Sequence, residues 1–92
     1  MLFRSPAREF RVGGTITATV WRNETQRDGR AVVSHSVQIQ KRYFDKAEQA
    51  WKTSGSYFVN DLPRLQLALT MAYEYILTEA GHENDSNADD AA

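Results

Sequence analysis

The sequence predicts an α+β domain: a four-stranded antiparallel sheet with a short first strand, followed by one C-terminal amphipathic helix packed on one face. Three observations point there. Long stretches alternate with period two, glycine-bearing turn signals separate them, and the last apolar segment switches to a helical repeat after a proline. In Thr15 to Asn23 (TITATVWRN) the alternation places Ile16, Ala18 and Val20 on one face and Thr17, Thr19 and Trp21 on the other. Gly13-Gly14 before it permits a sharp bend after a short extended piece, Glu9 to Val12. A polar loop, Asn23 to Gly29, ends in Asp-Gly, a pair suited to positive φ near a hairpin turn. The second long stretch, Ala31 to Phe44, sets Val33, Val37, Ile39 and Tyr43 against Ser34, Ser36, Gln38, Gln40, Arg42 and Phe44. Its length predicts a bend or bulge. After a loop over Asp45 to Gln49, residues 51–59 read as the last strand, with Trp51, Thr53, Tyr57 and Val59 inward and Lys52, Ser54, Ser56 and Phe58 outward.

Asn60 or Asp61 suits a helix N-cap, and Pro63 falls in the first turn, where its missing N–H costs nothing. The helix is expected to run to about Ala80 with Gly81 as C-cap. Leu62, Leu65, Leu69, Ala72 and Ile76 form an apolar stripe, widened by Ala68, Tyr73 and Leu77, that would cover the sheet. A second stripe, Leu67, Met71 and Tyr75, lies roughly opposite and predicts a helix-to-helix contact in a homodimer. Stray surface apolars are the alternative.

A chain of 92 residues allows one domain, read as 9–80 between a loose N-terminus (1–8) and a disordered acidic tail (81–92). A chain this short buries only about 60% of its unfolded surface, which favours help from a second subunit. With no cysteine there is neither disulfide nor thiolate metal site. No apolar run reaches the length of a secretory signal or a membrane span, so a cytoplasmic, non-membrane protein is the expectation. The net charge of −1 hides a gradient: residues 1–52 carry +5, residues 53–80 carry −2, and the last twelve carry −4. A basic sheet is the first requirement for a phosphate-bearing partner.

No catalytic set assembles. His35 sits mid-strand and His82 in the tail, leaving no Ser/His/Asp arrangement, no histidine pair at metal spacing and no phosphate-cradling loop. The expectation is a non-enzyme without cofactor or metal. The outward sheet face instead mixes small polar groups with aromatics and cations, the combination that stacks unpaired bases and neutralises phosphates.

Phe10-Arg11-Val12-Gly13, the Ile16 to Trp21 alternation, Val37-Gln38-Ile39-Gln40-Lys41-Arg42-Tyr43-Phe44-Asp45 and Val59-Asn60-Asp61-Leu62 together resemble the positive-cofactor-four-type family of single-stranded-DNA-binding transcriptional coactivators. The resemblance covers most of residues 10–75. It implies a dimeric ββββα fold gripping single strands on its sheet, a role in transcription regulation, a base-stacking aromatic at Tyr43 with Phe44 beside it, and strand cations at Lys41 and Arg42. The chain departs from the pattern in the last strand, where Thr53-Ser54-Gly55-Ser56 follows Lys52 in place of a basic run, and in a longer loop over Thr25 to Arg30.

The combined expectation is a single-stranded DNA or RNA binder using Trp21, Arg22, Lys41, Arg42, Tyr43, Phe44, Lys46, Lys52 and Phe58. The competing expectation is a small protein-interaction or structural module. One difficulty is visible in advance. Tyr43 shares the inward parity of Val37 and Ile39 while Phe44 does not, so either a bulge re-aims one ring or the strand projects past the helix with both faces free.

Overall fold

The computed structural model describes residues 3–79 and has the predicted architecture, a four-stranded antiparallel sheet followed by a single helix. Strands β1 (Phe3–Val12), β2 (Ile16–Arg27), β3 (Arg30–Asp45) and β4 (Ala50–Ser54) lie in sequence order, each beside the next. A single 3₁₀ turn, Val59–Asp61, leads into α1 (Leu62–Thr78). The expected C-cap at Gly81, His82 and the acidic tail lie outside the described residues.

Each turn follows from its residues. Gly13 and Gly14 hold φ of 65° and 75° between β1 and β2, a region open to glycine at little cost. Asp28 and Gly29, at φ of 53° and 77°, close a two-residue hairpin between the facing Arg27 and Arg30, whose twist matches its strands. The polar stretch expected as a loop from Asn23 is therefore strand as far as Arg27. The β3–β4 connection is Lys46 to Gln49, with Asp45 Oδ1 accepting the N–H groups of Ala47 and Glu48 at 2.9 and 3.3 Å.

The first strand is longer than expected. It starts at Phe3, so residues 3–8, read from sequence as loose, pair with β2. A register shift between Pro6 and Arg8 lets the strand carry a proline at the sheet edge, where its missing N–H breaks no ladder. Along β3 the pairing with β2 runs uninterrupted from Arg30 to Lys41. No bulge re-aims Tyr43.

The core is small: Ile16, Ala18 and Val20 of β2 meet Ala68 and Ala72 of α1, all fully buried. Phe10, Val12, Ile39, Tyr57, Leu65, Tyr75 and Ile76 pack around them. Leu65, Ala68, Ala72 and Ile76 of the expected stripe do meet the sheet, and the close approach that the two alanines allow lifts one edge of that stripe away from it. Leu62, Leu69, Tyr73 and Leu77, expected over the sheet, are 45–61% exposed on one flank. Met71 and Tyr75, expected to point outward as a dimer contact with Leu67, are instead half-buried on the sheet side, and Tyr75 meets Phe10 edge-on at 6.1 Å. Leu67 alone of that trio projects outward, 51% exposed. The helix sits on β1 and β2 and touches β3 only at its margin.

Candidate nucleic-acid interface

Strand register sorts the candidate residues onto two faces. The outer face, turned away from the helix, carries Trp21, Arg42 and Phe44, together with two groups not singled out from the sequence, Arg4 and Trp51. They form two ring-and-cation clusters. In the first, the Arg4 guanidinium lies 4.0 Å from the centre of the Trp21 ring, and the Trp21 indole donates to Gln38 Oε1 at 3.2 Å. In the second, Arg42 sits 4.7 Å over Trp51, whose ring meets Phe44 edge-on at 5.5 Å. Trp21 faces Ser36 across the ladder, and the run along β3 from Ser36 to Phe44 is about 26 Å at the usual strand rise. The floor between the clusters on β2 and β3 is Thr17, Thr19, Gln38 and Gln40, polar and uncharged, with the Glu9–Arg11 ion pair of β1 beside it on the same face.

Trp51 was expected inward. It lies outward because Asp45 pairs with Ala50 as the last rung of β3, leaving a four-residue loop, Lys46 to Gln49, where a loop beginning at Asp45 was read. One residue of register moves every β4 side chain to the other face. Lys52 and Ser54, expected outward, accordingly stand beside Tyr43 and Lys41 on the helix side.

The helix-side group lies past the start of α1, where β3 and β4 project free of the helix. Lys41, Tyr43, Ser54, Ser56 and Phe58 line an apolar recess of about 270 Å³. Tyr43 is 41% and Phe58 74% exposed. The hairpin end thus presents rings on both faces, which resolves the parity difficulty of Tyr43 and Phe44 in favour of a projecting strand.

Several expected phosphate contacts are already engaged. Lys41 is buried, its ammonium 2.8 Å from Asp61 Oδ2 and 4.3 Å from the centre of the Phe58 ring. It fastens β3 to the helix start. Lys52 is held between Asp45, at 3.0 Å, and Glu48. Arg22 lies on the inner face opposite His35 and pairs with Glu24 at 3.0 Å. These three belong to the scaffold. Among the described residues no carboxylate lies within ion-pair distance of Arg4, Arg42 or Lys46, so these supply the charge beside the two clusters, and Arg27 and Arg30 stand exposed on the same face at the far hairpin, also outside any ion pair. Lys46 is exposed in the β3–β4 loop.

The Lys41–Asp61 pair has a pH signature. The ammonium of Lys41 and then the N–H of Phe58, which also donates to Asp61 Oδ2 at 2.8 Å, hold the Asp61 carboxyl below its ordinary value of 3.8. A carboxyl lowered in the folded state stabilises that state fully above its unfolded value and loses the contribution as pH falls through the folded one. Acid titration by circular dichroism is therefore expected to show unfolding that begins below about pH 4. Asp61→Asn should flatten this limb and lower stability at neutral pH. Equal acid limbs in the two proteins would remove the pair from that role. Tyr57, packed nearby, has its hydroxyl buried without a hydrogen-bond partner, and burial pushes its ionisation above the ordinary 10.0.

Among the described residues, no three His, Asp or Glu side chains gather in a metal-binding cluster, and no helix is long and apolar enough to cross a membrane. Comparison with protein-family models, with curated proteins and with solved structures returned no match to this chain.

Proposed function

We propose that this chain binds single-stranded DNA or RNA across the outer face of its sheet, as a homodimer, with the β3–β4 hairpin end as the main contact. The observation that carries the reading is the pair of ring-and-cation clusters, Arg4 over Trp21 and Arg42 over Trp51, separated by a polar, uncharged floor. Every base has a π-face, so exposed rings accept bases of any sequence, and an adjacent guanidinium reaches the phosphate between them. A span of about 26 Å suits a short run of nucleotides, comparable with the low end of the roughly 4–16 that one OB fold occupies. A regulatory role in transcription would accord with the family resemblance carried by residues 37–45.

The direct test is anisotropy of a labelled single-stranded oligonucleotide across a salt series. Phosphate contacts release counterions, so the logarithm of the binding constant falls linearly with the logarithm of salt at about 0.7 per contact. With phosphate contacts at Arg4, Arg42 and Lys46 beside the two clusters, a slope of about −2 is expected, and Lys46→Ala should make it shallower by somewhat under one unit. A duplex of the same sequence should bind more weakly, because its bases already stack on one another. Absence of binding at low salt, where charge is least screened, would overturn the reading in favour of a protein-interaction module.

A further inference from the structure

We infer that the open edge of β3 pairs antiparallel with the same edge of a second copy, joining two sheets into one of eight strands. β3 runs from Arg30 to Asp45, but β4 covers only Lys41 to Asp45. Among the described residues no strand pairs with the outer edge of β3 before Lys41. The geometry states which groups point there. The N–H of Arg42 donates to Thr15 O on the β2 side at 2.8 Å, and Arg30 closes the hairpin with Arg27. Antiparallel alternation along an unbroken ladder then turns the even-numbered residues toward β2 and aims the N–H and C=O groups of Ala31, Val33, Val37 and Ile39 at the open edge.

The two edges of the sheet differ in a way that identifies this one as an interface. Isolated strand edges invite pairing, and proteins guard them with charge, proline and bulges. The β1 edge has all three: Arg4, Arg8, Glu9 and Arg11, then Pro6, then the register shift beside it. The β3 edge has none, for Ala31 to Gln40 (AVVSHSVQIQ) contains no Asp, Glu, Lys, Arg or Pro and is rich in strand-forming residues. A second copy fits because the segment carries no charge to oppose itself under a two-fold axis, and such an interface must be self-complementary.

The flank of the helix above that edge is uncovered as well. Leu62, Leu69, Tyr73 and Leu77 stand exposed where the helix stops short of β3, and Val37 lies 37% exposed on the same face of the sheet. Edge pairing would bring the inward valines and isoleucine of the two strands side by side and turn the two helix flanks toward them. The protomer is also open for its size, with a radius of gyration of 15.8 Å against about 12 Å for a compact chain of this length. Ser34, Ser36, Gln38 and Gln40 would carry the polar outer floor across the axis. This contact replaces the one through Leu67, Met71 and Tyr75 that the sequence suggested.

Sedimentation equilibrium of the wild-type chain, with no oligonucleotide present, is expected to give twice the 10.5 kDa chain mass. Val37→Pro removes an N–H aimed at the open edge while leaving the ladder to β2 intact, and Val33→Lys places a charge guard on the same edge. Both are expected to sediment as monomers with wild-type circular dichroism. Amide hydrogen exchange supplies a readout without mutation: the N–H groups of Ala31, Val33, Val37 and Ile39 should be protected at high protein concentration and lose protection on dilution. A wild-type monomer overturns the inference, as does a dimer that survives both substitutions with those amides exchanging freely. Because the measurement needs no nucleic acid, its failure is separate from a failure of oligonucleotide binding.

Discussion

Replacing Trp51 by alanine is expected to weaken single-strand binding by roughly 1–3 kcal/mol at fixed salt, the worth of one base stacked on an aromatic ring. That is about five- to 150-fold in affinity. Trp51 is 60% exposed at the projecting hairpin end, with Arg42 over one side of the ring and Phe44 against its edge. Its removal also costs Phe44 and Arg42 their orientation, so Phe44→Ala added to Trp51→Ala should cost less than the sum of the single changes. Because neither ring belongs to the core, thermal unfolding should barely move. Tyr43→Ala discriminates between the two faces: with the outer face as the binding track its effect is small, whereas an effect exceeding that of Trp51→Ala would move the bases into the recess beside Phe58. Intact affinity in all these variants would remove base stacking from the account.

Ile16→Ala is expected to cost about 2–5 kcal/mol of folding stability, the usual range for truncating a fully buried branched side chain. The effect is large here because so little else is buried. Ile16 and Val20 are the largest fully buried side chains, and the remaining core positions are alanines that cannot expand to fill a cavity. A domain of this size has a total stability on the order of 5–14 kcal/mol, so the substitution removes a large share of it. Urea unfolding followed by circular dichroism measures the change. Ile39→Ala, at a half-buried position on β3, should cost distinctly less. Similar losses at the two positions would mean that the sheet is covered more evenly than the helix position implies.

Both expectations depend on which face each side chain occupies, and here the sequence and the fold contribute differently. Alternation in β2 identified Ile16, Ala18 and Val20 as the buried set, because a half-buried strand separates its two faces residue by residue. Asp28-Gly29 marked its hairpin, and Asp61-Leu62-Pro63 marked the start of the helix, since these residues have few other comfortable backbone conformations. The order of four strands and a helix was legible for the same reason. Local backbone preference and hydrophobic period are properties of short segments.

What tertiary structure decided concerns relations between segments. Whether Asp45 belongs to the β3–β4 loop or to its last rung is a choice of one residue that local preference does not make, yet it sends Trp51 outward and Lys52 inward. How far the covered stripe of α1 extends to either side was likewise not local, for the helix is apolar around much of its circumference. Leu65, Ala68, Ala72 and Ile76 meet the sheet as the period predicted, and the close approach of the two alanines draws Met71 and Tyr75 inward and leaves Leu62, Leu69, Tyr73 and Leu77 uncovered. The fate of most of the cations was also tertiary: Lys41 and Lys52 found carboxylates brought near by folding and Arg4 and Arg42 found rings, whereas Arg22 pairs with Glu24 along its own strand. The sequence by itself determined the number and order of the elements and the inward face of the central strand, because these follow from contacts within a few residues, while the ends of β1, β2 and β4 were set by pairing. The candidate interface was decided only when register and helix rotation placed distant residues side by side.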